Sequence, residues 1–210
     1  MSEKLTKDHL EEYLQGLYRD DDPIQQEMEA WAKERSFPIV GPLAGRVLFQ
    51  LAQMIGAKRV FELGSGYGYS ALFFARAVGI DGKVHCTDFS DENIRQAEDF
   101  LGRAGVWPRI TYHQEDALAA LRRVGGTWDL IYNDIGKTAY PDTIELAYQH
   151  LRRGGLFISD NMFQGGRVLE QVVDEETQGV IEFTRLLFAH PGFLTTINPV
   201  RDGLSVALRL

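Results

Sequence analysis

Apolar side chains recur at helical spacing early in the chain, at Leu10, Tyr13, Leu14, Leu17 and Tyr18, and predict an amphipathic helix starting near Thr6 or Asp8. Asp22 followed by Pro23 is an N-cap and first-turn pair, so a second helix runs from there through Met28 and Trp31. The segment FPIVGP, residues 37–42, breaks the chain before a third helix over 43–55. From Arg59 the period changes. Short β-rich runs at 59–63, 83–88, 109–113, 128–134 and 155–160 alternate with helical patterns at 69–78, 91–104, 116–124 and 141–151. Gly105 caps the second of these helices, and the Gly154-Gly155 pair stops the fourth. Beyond a loop around Gly165 and Gly166 come a helix over 176–190 and two strands joined by an Asp202-Gly203 turn.

Alternating strands and helices are the signature of βαβ units. The pattern predicts an α/β fold: a Rossmann-like, doubly wound sheet of seven strands, mostly parallel, with an antiparallel last strand and helices on both faces. One domain over 1–210, with 1–37 as its N-terminal helical segment, accounts for the whole length. In such sheets ligands sit beyond the carboxyl ends of the strands, where several of these runs carry an acid.

Composition narrows the partners. The chain is 44% hydrophobic and 25% charged, as an ordinary globular protein is, and its net charge of −8 with scattered basic residues disfavours nucleic acid. Its one cysteine, Cys86, excludes an internal disulfide and suits a reducing compartment. The charged start has no signal-peptide core and no apolar run spans a bilayer, so the expectation is a cytoplasmic protein.

The stretch FELGSGYGYSALFFARA, 61–77, puts Gly64, Gly66 and Gly68 between a strand and a helix, where backbone can approach a ligand and offer helix N-terminal amides. A dinucleotide fingerprint needs its third glycine three positions after the second, and here the gap is two. Glu62 just before the turn would repel a pyrophosphate and attract a cationic ligand end, such as that of S-adenosylmethionine. Asp88, at the tip of the second strand, is placed for ribose hydroxyls, and Glu115 or Asp116 for an adenine amine. Any one of these acids is equally well a solvated loop carboxylate or a helix cap.

The run ELGSGYGYSAL, the acid at the second strand end, the DN-x-x-x-x-G stretch at 160–166 and the closing PVRDGLSVAL together resemble the cation-dependent O-methyltransferases, the family of caffeoyl-CoA and catechol O-methyltransferases. These are class I methyltransferases dependent on S-adenosylmethionine. The resemblance runs from about residue 39 onward and implies roles by position. Glu62, Gly64, Ser65, Gly66 and Gly68 surround the methionine part of the cofactor, and Ser70 binds its carboxylate. Asp88 holds the ribose, Asp116 and Ala117 line the adenine side, and Val40 and Gly41 close over the cofactor. Asp134 serves cofactor and metal together.

Asp134, Asp160 and Asn161 each follow an apolar strand, and two carboxylates with an amide oxygen suit a hard cation such as Mg²⁺. The family places its metal on these three positions and its general base on a lysine three residues after the first acid, here Lys137. A hydroxyl bound to the cation loses its proton more readily, and Lys137 would take it. Two departures bear on the acceptor: the usual D-A-D-K is D-I-G-K here, and Gln164 replaces an aromatic. Phe163, Gln164, Arg167 and Trp31 are candidates for the acceptor pocket, with core packing the alternative for Trp31.

The resulting expectation is an S-adenosylmethionine-dependent O-methyltransferase acting on a small catechol- or phenol-like hydroxyl with a divalent cation, and a homodimer by resemblance. Three alternatives stay open: a tRNA hydroxyuridine O-methyltransferase of the same family, a nicotinamide-dependent oxidoreductase, and a protein that binds the cofactor without turnover.

Overall fold

The computed structural model describes residues 7–18 and 22–210. Thr6 and the side chain of Asp8, offered above as the first helix start, lie outside the described residues. Helix α1 spans Lys7–Leu17, and its apolar stripe stays largely outside the core, with Tyr13 and Leu17 65% and 59% exposed. It leans on α3, Gly41–Met54, where the Arg46 guanidinium stacks 4.1 Å from the Tyr18 ring centre. Helix α2, Pro23–Arg35, starts where Asp22 accepts hydrogen bonds from the Ile24 and Gln25 amides at 3.0 and 3.2 Å. Asp22 also pairs with Arg76, which ties this helix start to the sheet-flanking layer.

The strands are β1 Arg59–Leu63, β2 Lys83–Thr87, β3 Ile110–His113, β4 Trp128–Asn133, β5 Leu151–Ser159, β6 Phe193–Asn198 and β7 Leu204–Arg209. They form one sheet in the order β3-β2-β1-β4-β5-β7-β6. Neighbours from β3 through β5 are parallel, and β7 runs antiparallel to both β5 and β6. The helices between them are α4 Tyr69–Ala77, α5 Asp91–Arg103, α6 Ala117–Val124, α7 Tyr140–His150 and α8 Glu175–Ala189. Strand order reverses direction between β1 and β4, so connections leave to opposite faces there and open a crevice at the carboxyl ends.

Alternate residues of each strand feed two cores. Val60, Leu130 and Tyr132 pack with Leu72, Phe74 and Phe100 on one face, while Phe61, Leu63, Ile131 and Phe157 pack with Trp128 and Phe183 on the other. Each such fully buried side chain stabilises the fold by about 1.5–3 kcal/mol, and that holds the strand ends in place.

The Gly154-Gly155 pair does not stop α7. That helix ends at His150, and both glycines lie inside β5, where the register with β4 shifts between Trp128 and Leu130. A side chain at Gly155 would meet the Asp129 carbonyl at 2.8 Å, so the glycine serves strand packing instead of a helix cap. The third helix starts two residues earlier than the sequence pattern suggested, at Gly41.

Candidate active site

Backbone ties bring three strand ends together. The Asp134 amide donates to the Leu63 carbonyl at 2.9 Å, and the Asp160 amide to the Asn133 carbonyl at 3.1 Å. The Tyr140 hydroxyl lies 3.2 Å from the Asn133 carbonyl and 3.1 Å from that of Asp160, clamping the ends of β4 and β5 side by side. The glycine loop is fixed to β2, because Gly64 N donates to Thr87 Oγ1 at 2.9 Å and Ser65 N to the Thr87 carbonyl at 2.8 Å. Gly64 has a φ of +80°, and a Cβ there would stand 2.7 Å from the Asp134 carbonyl oxygen. Only glycine permits that approach.

A cavity of about 560 Å³ opens above these ends. Val40, Gly64, Ser65, Gly66, Ser70, Asp88, Asp134, Lys137, Asp160 and Asn161, all expected from the sequence, line it together with Gln164 and Arg167. Four aspartates against one lysine and one arginine make its wall acidic. Helix α4 begins at its edge with no side-chain cap, leaving first-turn amides for a ligand.

Other expected residues stand elsewhere. Glu62 is fully buried beneath the loop and does not line the cavity; Ser70 hydrogen-bonds its Oε1, and Cys86 Sγ lies 3.5 Å from Oε2. Burial drives its carboxyl up to about 7, against the hydrogen bonds from Ser70, Ser65 and Cys86. Gly41 faces the Arg201 guanidinium, and Gly68 packs against Leu101. Asp116 is the N-cap of α6, accepting from Ala119 N at 2.8 Å, with buried Ala117 following it, and Glu115 pairs with Arg123. Trp31 packs against Tyr67 with ring centres 4.5 Å apart and borders a separate hollow between α2 and α5. Phe163 lies against Gly203, outside the cavity wall.

The acidic corner is electrically tense. Lys137 Nζ donates to Asp134 Oδ1 at 2.7 Å and to the Ile135 carbonyl at 3.2 Å. Asp160 is 5% exposed, and its carboxyl is pushed up to about 7 by burial first and by the Asp134 charge second, while the Asn161 amide and Lys137 pull it down. Burial also raises Asp134, against the pull of Lys137. One ammonium therefore serves two crowded carboxylates.

The donor set fits a hard cation. Among the described residues no three His, Cys, Asp or Glu side chains are grouped to hold a metal, so a cation held by Asp134 and Asp160 would need a further oxygen, and Asn161 lines the same cavity. Its amide nitrogen is spent on Asp202 Oδ2 at 3.3 Å, which leaves Oδ1 as the free donor atom. Asn161 also sits at φ +58°, a left-handed conformation that asparagine tolerates.

Sequence reasoning missed Asp202, which a hairpin turn carries to the cavity, and the roof residues Phe37, Pro38 and Ile39. Phe89, next to Asp88, is 72% exposed and stands outside the cavity wall. Locally the DG turn and the X-Pro pair are chain punctuation, and only tertiary placement makes them part of the cavity wall.

A seven-stranded sheet of this order, with a glycine-loop cavity at its parallel strand ends, has the Rossmann-like methyltransferase fold. The chain belongs to the O-methyltransferase family, whose model matches residues 20–210. A catechol O-methyltransferase of Mycobacterium tuberculosis is 30% identical over 93% of each chain. The crystal structure of an O-methyltransferase from Bacillus cereus in complex with SAH superposes with a TM-score of 0.87 at 25% identity, covering 96% of this chain and 97% of that one. A methyltransferase from Geobacter sulfurreducens gives a TM-score of 0.84 at 28% identity over 98% of both chains.

Proposed function

We propose that the protein transfers the methyl group of S-adenosylmethionine to a hydroxyl of a small catechol- or phenol-like acceptor, with a divalent cation bound at Asp134, Asp160 and Asn161. The single observation that carries this reading is the convergence of those three oxygen donors and Lys137 with the glycine loop and Asp88 in one cavity.

The residues divide the work by position. Asp88 accepts hydrogen bonds from ribose hydroxyls, and the exposed ring of Phe89 offers a face for the adenine. Backbone amides of the loop and of the first turn of α4, with Ser70, receive the carboxylate end. The acidic wall attracts the positive sulfonium and amino group. S-adenosylmethionine supplies the methyl group, and a bound divalent cation would make an acceptor hydroxyl more acidic. Lys137 Nζ, once neutral, receives the hydroxyl proton, while its tie to the Ile135 carbonyl keeps it at the cavity wall. Pro38, Ile39 and Val40 line the apolar side of the site, and alignment of hydroxyl and methyl is the chief remaining requirement.

The test is a methyl-transfer screen over catechols, acyl-CoA phenolics and tRNA, each with and without EDTA. The expected result is transfer to a catechol or phenol that chelation abolishes. Transfer undiminished by EDTA would remove the cation, and transfer to tRNA alone would replace the acceptor.

A further inference from the structure

Ser70 stands between two partners. Its hydroxyl hydrogen-bonds Glu62 Oε1 on the inside of the fold, and the same side chain lines the cavity. A hydroxyl has one proton to give. While Glu62 is an anion, that proton is held inward, and Ser70 turns only lone pairs toward an anionic group in the cavity.

Glu62 is 0% exposed, and the groups that meet it are weak donors: the hydroxyls of Ser70 and Ser65 and the Cys86 thiol. The ionisable groups facing it are Cys86 from β2, Tyr112 from β3, Tyr132 from β4 and Asp134 just beyond β4. All of these are acids, and among the described residues no cation acts on Glu62. A buried carboxylate without a counter-charge is expensive, so the cheaper state is the neutral acid.

We propose that Glu62 is a positioning residue that works as a neutral acid: it donates its proton to Ser70 Oγ and thereby frees the proton of Ser70 for the carboxylate of the cofactor's methionine part. The proposal rests on the S-adenosylmethionine reading above. No bond between heavy atoms changes; an ionised Glu62 takes one proton from solvent on binding, forming its O–H bond, and the chain Glu62 O–H to Ser70 O–H to carboxylate is complete. Burial already holds this carboxyl near neutrality, with the Asp134 charge adding to it. Because the ligand selects the protonated form, affinity is full below about pH 7 and falls as pH rises above it.

The experiment measures binding of S-adenosylhomocysteine and of 5′-methylthioadenosine, which has no carboxylate, to the full chain by calorimetry at about pH 6.5 and about pH 8.5. The first ligand should bind roughly tenfold more weakly at the higher pH, and the second equally at both. Glu62→Gln keeps a permanent N–H donor toward Ser70, so it should hold the low-pH affinity at both values. Ser70→Ala should weaken S-adenosylhomocysteine roughly tenfold at the lower pH and remove the slope, which decides the matter even where Glu62→Gln does not fold. A wild-type affinity that is flat with pH, or a slope that survives in either variant, overturns the proposal. If neither ligand binds at any pH, it is the cofactor reading that fails.

Discussion

Asp160→Asn should make the fold stronger at alkaline pH while abolishing the proposed chemistry. The Asp160 carboxyl holds its proton to about 7, against 3.8 in an unperturbed aspartate. The sign follows from the direction: a raised acid binds more protons folded than unfolded, so this carboxyl's contribution declines as pH climbs from about 4 and reaches its full penalty above about 7. At 1.36 kcal/mol per pH unit, the loss at about pH 8 comes to about 4 kcal/mol, and relaxation around the charge reduces it to about 2–4 kcal/mol. Asparagine is nearly isosteric and keeps an oxygen to accept the Asn161 amide, which sits 2.7 Å from Asp160 Oδ1. Urea denaturation in EDTA at about pH 4.5 and about pH 8 measures both ends. The variant should gain about 2 kcal/mol or more at the higher pH and at most about 1 kcal/mol at the lower. A variant no more stable than the parent at about pH 8, with both two-state, would refute the placing of Asp160 as a destabilising buried acid. Added Mg²⁺ should stabilise the parent and leave the variant nearly unmoved.

Lys137→Ala should lower methyl transfer about 10²-fold or more while changing S-adenosylhomocysteine affinity little, as single-turnover kinetics and calorimetry would show. Gly64→Ala places a Cβ at φ +80° within 2.7 Å of the Asp134 carbonyl; a loss of roughly 2–4 kcal/mol in urea denaturation is expected, with reduced transfer. Tyr140→Phe removes the hydroxyl held between the Asn133 and Asp160 carbonyls and should cost about 1–2 kcal/mol in the same assay. Asp88→Ala should weaken 5′-methylthioadenosine as much as S-adenosylhomocysteine, since both carry the ribose, and equilibrium binding would separate this from an effect on the carboxylate end.

The sheet was legible because its strands are apolar runs of strand length set between helical periods, and the acids that end β2, β4 and β5 mark where its crevice opens. Asp116 has a second task that its position before a helix supplies: its carboxylate accepts the Ala119 amide as the N-cap of α6. Glu62 lies two residues before Gly64, yet it is still within β1, where strand alternation turns it into the core on the same face as Val60. The hairpin turn at 202–203 could be read locally as a turn, but its arrival at Asn161 depends on β7 pairing with β5, a register that no local pattern encodes. The apolar stripe of α1 announced a helix correctly and overstated how much of it the fold would cover.

That pairing bears on how the chain matures. β7 is synthesised after β6 yet lies inside it in the sheet, so the open edge of β5 cannot be closed by the next strand to emerge. Until the hairpin folds back, that edge offers unpaired amides to any passing strand, a window for misassociation during synthesis. The same docking seats Asp202 against Asn161 and ties Phe163 N to the Asp202 carbonyl at 2.8 Å. A nascent chain lacking β7 would lack the Asp202 partner of the Asn161 amide, so that corner of the cavity is completed only when the last hairpin docks.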